Sequence, residues 1–192
     1  MDFDVTFDVV HIEYGIVWGN HKIVLIKSGK GGSCRGYGDK YVKMARLLHD
    51  QRGYTVICSS NPIERKQSLD IDRSVVERVA LEAGLGDFEL YLVGFSNGAY
   101  QNLFLANQIP QTQKVLSVNM PLMLNYHKIT RELQAMDTVE KIFVYGTEDP
   151  SIDYLPLLEG KKYPLLRAIR IHGADHQFTD KTEELIALAN LL

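Results

Sequence analysis

Six short, continuously apolar runs punctuate the chain: KIVLI (22–26), YTVICS (54–59), ELYLVG (89–94), KVLSV (114–118), KIFVYG (141–146) and LLRAIRI (165–171). A strand that is apolar on both faces needs a covering layer on each side, as in a parallel sheet flanked by helices. The stretches between the runs supply such helices. Residues 39–51 put Tyr41, Met44, Ala45 and Leu48 on one stripe before Gly53, and residues 72–83 start at Asp72 and end at Gly84. Residues 98–108 carry Leu103, Phe104 and Ala106. TDKTEELIALANLL closes the chain with Thr179 or Asp180 as cap and a Leu/Ile stripe. Between Asn119 and about Lys141 the only helix candidate is HKITRELQAM.

Strand and helix alternate, so the expected fold is α/β: a three-layer α/β/α sandwich on a mostly parallel central sheet. The N-terminal segment differs. Phe3, Val5, Phe7 and Val9 alternate with polar residues, then the phase shifts to Val10, Ile12 and Tyr14, which reads as an antiparallel strand with a bulge. The 192 residues suit one domain spanning 1–192. Right-handed crossovers then bring the loops that follow the parallel strands to one sheet edge, where ligands bind.

Charge and composition exclude several function classes. A net charge of −3 with scattered Lys and Arg gives no footprint for nucleic acid. No apolar run approaches the ~20 residues of a membrane helix, so no membrane insertion is expected. Asp2, Asp4 and Asp8 stand where a secretory signal would carry positive charge. Two cysteines, Cys34 and Cys58, are too few for a disulfide framework. The expectation is a cytoplasmic protein with two free thiols.

The chemistry-bearing signal is LYLVGFSNGAY, residues 90–100, in which a strand runs into a helix through Gly94-Phe-Ser96-Asn-Gly98. A strand that turns directly into a helix lifts the connecting residue clear of the sheet edge in a strained conformation, and side chains two positions before and after would collide. Ser96 is that residue. It sits at a helix N-terminus beside the free N–H of Asn97, where negative charge is favoured. A serine hydroxyl is a weak nucleophile unless a histidine takes its proton and a carboxylate orients the histidine. The loops after two later strands, GTEDP and HGADHQF, hold candidates for both: Glu148, Asp149 and Asp153, and His172 and His176.

Read together, GFSNG, YGTEDP and GADHQF resemble the α/β-hydrolase family, whose triad follows the chain order Ser, acid, His. The resemblance spans nearly the whole chain in element order. It implies Ser96 as nucleophile, Asp149 as acid (the family's G-x-x-D counted from Gly146) and His176 as base, with Asp175 shaping the histidine loop. It also implies two backbone donors for an oxyanion. One is the N–H of Asn97. The second comes from KSGKGGSCRGYG, which resembles the family's H-G-x-G-G-S with Ser28 in place of histidine; the carry-over points to Lys30, with Gly29 and Gly31 as register alternatives. The twenty or so residues between KVLSV and KIFVYG leave no room for a cap domain.

The glycine-rich loop fits neither a Walker loop, since Arg35 and Gly36 stand where Lys and Ser or Thr are required, nor a dinucleotide fingerprint. His172, Asp175 and His176 lack the paired histidines of a zinc helix. No cofactor or metal is therefore expected. Met120, Leu122, Met123 and Leu124 are candidates for an apolar wall beside the site. The reading is a lidless serine hydrolase acting on a small-molecule ester or thioester. Its alternatives are a binding or scaffold protein on the same fold and an acyltransferase.

Overall fold

The computed structural model describes residues 1–63 and 68–192. Its elements follow in the order β1 (Val5–Val9), β2 (Ile12–Val17), β3 (Asn20–Lys27), α1 (Lys40–Arg52), β4 (Tyr54–Ser59), α2 (Ser68–Glu82), β5 (Glu89–Phe95) and α3 (Asn97–Ala106). Next come β6 (Thr112–Val118), α4 (Leu122–Gln134), β7 (Glu140–Gly146), α5 (Leu155–Glu159), β8 (Leu166–Ile171) and α6 (Thr182–Ala187). Among the described residues, eight strands form one sheet in the order β1-β2-β4-β3-β5-β6-β7-β8. From β4 to β8 neighbours pair in parallel, while β1 and β2 are antiparallel.

The alternation of side chains along each strand feeds two cores. Leu25, Leu92 and Phe143 pack with residues of α2, α3, α4 and α5 on one face, and Ile26, Val93 and Val144 pack with residues of α1 and α6 on the other. This is the expected α/β/α sandwich. The connection from β6 to β7 holds α4 alone, so there is no cap domain.

Four local expectations are corrected. Val10 and His11 split what the periodicity presents as one bulged strand into a hairpin, with Val9 opposite Ile12. Both turn residues have positive φ, 48° and 64°, the requirement of a two-residue type I′ turn. Val-His lacks the Asn-Gly signature of such turns, so the phase shift imitates a bulge. The second expected helix is already formed at Ser68, ahead of Asp72, and α4 starts five residues before HKITRELQAM, with an irregular Asn125 at φ −140°. The last helix starts at Thr182, later than expected, with Lys181 at its N-cap position and no side-chain cap, while the N–H of Thr179 donates to the Asp175 carboxylate.

Asp72 lies inside α2 rather than at its start, and its carboxylate is buried against Lys27. The Lys27 Nζ lies 2.8 Å from one carboxylate oxygen of Asp72 and 3.2 Å from the other, and donates to the Ser59 hydroxyl and the Ser60 carbonyl. Tyr14 and Ser59 each donate a hydroxyl to Asp72 at 2.8 Å. Burial pushes the Lys27 ammonium below its ordinary range, opposed by the Asp72 charge. The network ties the carboxyl ends of β3 and β4 to α2, directly beneath the glycine-rich loop that starts at Ser28. Removing one partner strands a buried charge, which costs ~3–5 kcal/mol, whereas replacing both with apolar side chains is far less costly. Asp72→Ala should therefore lower the unfolding free energy by about that amount in urea titrations, and the Lys27→Met/Asp72→Leu double variant should regain most of it. A single variant as stable as the parent would contradict this role.

Candidate active site

Ser96 joins β5 directly to α3 with φ 51° and ψ −120°. A non-glycine residue at positive φ is strained and persists only when its surroundings over-determine it. The two flanking glycines show how. A Cβ on Gly94 would overlap the backbone of Gly98 and Ala99, and one on Gly98 would overlap the carbonyls of Lys27 and Ser28. α3 thus lies against both its own strand and the end of β3, which brings the glycine-rich loop beside the serine.

The loops after β7 and β8 meet at the same edge. The Ser96 Oγ lies 2.9 Å from His176 Nε2, and His176 Nδ1 lies 2.5 Å from Asp149 Oδ2. Asp149 is buried, and its other carboxylate oxygen accepts the Ser151 N–H at 2.7 Å, so the carboxylate has one orientation toward the imidazole. Glu148 and Asp153 are exposed, as is His172. The two loops are stitched together: the N–H of Glu148 donates to the Ala174 carbonyl at 2.9 Å, and that of Gly173 to the Thr147 hydroxyl at 2.8 Å. Asp175 accepts the N–H groups of Gln177 and Thr179 and so folds the loop that presents His176.

On the other side of Ser96 lies the loop from Ser28 to Ser33. The Ser28 hydroxyl donates to the Gly32 carbonyl at 2.9 Å, and the Gly32 N–H to the Gly29 carbonyl at 2.9 Å. Of the three register candidates, Gly31 donates its N–H to the Asn61 carbonyl at 2.6 Å. Among the described residues, the N–H groups of Lys30 and Asn97 have no acceptor.

Solved structures resemble this architecture over its whole length. An alpha-beta serine hydrolase homologue from Coxiella burnetii superposes with a TM-score of 0.79 at 17% identity, covering 100% of this chain and 99% of its own. XC6422 from Xanthomonas campestris, described as an α/β serine hydrolase without a lid, gives 0.67 at 20% identity over 97% and 91%. The chain has the α/β-hydrolase fold. Dienelactone hydrolase from Anabaena variabilis is a further match, with a TM-score of 0.71 at 18% identity over 100% and 95% of the two chains. No family model matches the sequence, and neither does any curated protein.

Within this hydrolase fold Ser96 and His176 open onto a cavity of about 380 Å³, whose walls include Lys30, Lys40, Tyr41, Phe95 and Phe178. The expected apolar wall is not part of it. Met120 and Leu122 are fully buried in the core, and Met123 and Leu124 face a separate groove with Tyr126, Tyr154 and Leu157. The helical start of α4 at Leu122 turns that segment away from the cavity. Among the described residues no group of three or more His, Cys, Asp or Glu side chains is placed to hold a metal ion.

Two asparagines escaped the sequence-based expectations. Asn119, buried at the end of β6 with φ 48°, donates its amide to the carbonyls of Asp175 and His176 at 3.0 and 3.1 Å and accepts the Gly146 N–H at 2.9 Å. Asn61 donates to the Ser28 carbonyl at 3.0 Å and the Asn97 side chain at 3.1 Å, while its backbone pairs with Gly31 and Gly32. One holds the histidine loop and the other the glycine-rich loop. Both stand just beyond strand ends, and that position was the only available signal.

The Asp149 carboxylate raises the His176 pKa above the ordinary 6.5 by bonding the protonated ring, against the opposing effect of burial. A pKa raised on folding adds stability that is complete below 6.5 and is lost as pH climbs through the raised value. In NMR titrations the His176 ring should have a midpoint above 6.5, and Asp149→Asn should bring it down. A midpoint below 6.5 in the parent would contradict the pairing.

Proposed function

We propose that the protein is a serine hydrolase that cleaves a carboxylic ester or thioester through an acyl-enzyme intermediate. The observation that carries this reading is the continuous hydrogen-bonded series from Ser96 Oγ through His176 to the buried Asp149. In it, His176 Nε2 takes the proton of Ser96 as Oγ attacks the carbonyl, then returns it to the leaving alcohol or thiol. Asp149 holds the proton on Nδ1, keeps the ring in the needed tautomer and stabilises the imidazolium. The free N–H groups of Asn97 and Lys30 receive the oxyanion of the tetrahedral intermediate, each donor being worth ~2.7–4 kcal/mol of barrier. Water then repeats the cycle on the acyl-enzyme. The serine hydrolases and the dienelactone hydrolase among the similar structures support the same class of chemistry.

Because the base must be neutral, activity should rise with pH along a limb set by the raised His176 pKa. Hydrolysis of p-nitrophenyl acetate and butyrate tests the roles. Ser96→Ala should lower kcat by ~10⁶-fold and Asp149→Asn by ~10⁴-fold. Turnover by Ser96→Ala within tenfold of the parent would refute the assignment.

A further inference from the structure

We propose that the cavity beside Ser96 selects esters or thioesters carrying a second, anionic group, and that Lys40 is the counter-ion for that group. This inference rests on the hydrolase reading and names the substrate class of the same site.

Lys40 is the first residue of α1, half-buried in the cavity wall. Its Nζ stands 5.4 Å from the centre of the Tyr41 ring. Several cations among the described residues have carboxylate partners, such as Lys22 with Glu89, Lys27 with Asp72, Lys114 with Glu140, Arg46 with Asp4 and Arg170 with Glu159. Lys40 has none among the described residues. The nearest acid in sequence, Asp39, is committed to Arg35 at 2.7 Å. Burial alone depresses the Lys40 ammonium, with no neighbouring charge to compensate.

The remaining cavity charges sharpen the asymmetry. Lys30 is an exposed second cation on the wall, again without a carboxylate partner among the described residues. Asp149 lies behind His176, bonded to it, and does not line the cavity. Ser96 therefore faces a space whose fixed charge is positive, bounded by the aromatic rings of Tyr41, Phe95 and Phe178. A neutral substrate filling that space would strip more water from Lys40 and return nothing, while a carboxylate or phosphate would replace the water with a charge-assisted hydrogen bond. Lys40 and Ser96 line the same cavity, so a substrate that engages both carries an anionic group besides its ester or thioester.

Two matched pairs of esters test this. Mono-p-nitrophenyl glutarate against p-nitrophenyl valerate places the anion on the acyl side, and 4-acetoxybenzoate against its methyl ester places it on the leaving group. The parent should favour the anionic member of at least one pair by about tenfold or more in kcat/KM, and the preference should shrink as salt is raised. Lys40→Met and Lys40→Gln should bring the ratio close to one, and Lys40→Arg should keep most of it. A preference for the neutral member in both pairs, or a preference that survives loss of the Lys40 charge, overturns the proposal. Calorimetric binding of the glutarate and valerate esters to Ser96→Ala separates the two readings. Charge-dependent binding without turnover by the parent defeats the hydrolase reading alone, and turnover without any charge preference defeats this proposal alone.

Discussion

The structure depends on one close approach: the first turn of α3 pressed against the ends of β5 and β3, with no side chain between them. Gly94 and Gly98 permit it, and Ser96 absorbs the geometry at φ 51°. A residue held at positive φ costs of order 1–3 kcal/mol, and here the surrounding packing offsets it. The return is placement. The serine stands above the sheet edge at a helix N-terminus, and the same contact draws the Ser28–Ser33 loop alongside, where the Lys30 N–H has no acceptor among the described residues.

What gathers around Ser96 is held by backbone and buried polar contacts. Asn119 bridges β7 to the histidine loop, Asn61 braces the glycine-rich loop, and the Lys27–Asp72 pair anchors the strand ends beneath it. Such pre-organisation is what an acyl-transfer site requires, because donors that are already oriented cost nothing to reorganise when the oxyanion forms. Ser28 illustrates the economy of the design. Its hydroxyl closes the loop onto Gly32, so the loop is held by its own hydrogen bonds.

Strand and helix alternation was legible because continuous apolar runs admit few architectures, and the parallel strands fall within a residue or two of their expected bounds. The Ser96, Asp149 and His176 side chains were legible through loop motifs at strand ends, and these three do come together. Less visible were features set by tertiary context. The Val10-His11 turn carries no glycine or asparagine, and Asp72 looks like a helix cap until Lys27 is brought to it. The apolar segment from Met120 to Leu124 looked like a substrate wall, but its helical start sends two of its side chains into the core and two into another groove. Hydrophobicity alone does not say which cavity a side chain faces.

The proposed chemistry requires the hydroxyl at position 96 to act as a nucleophile and become covalently modified. Incubation with a fluorophosphonate followed by intact-mass and peptide-mass analysis tests it most directly. One adduct per chain is expected, located on Ser96 and absent when His176 is replaced by alanine. An adduct on another side chain, or an unmodified protein under conditions that label a known serine esterase, would contradict it.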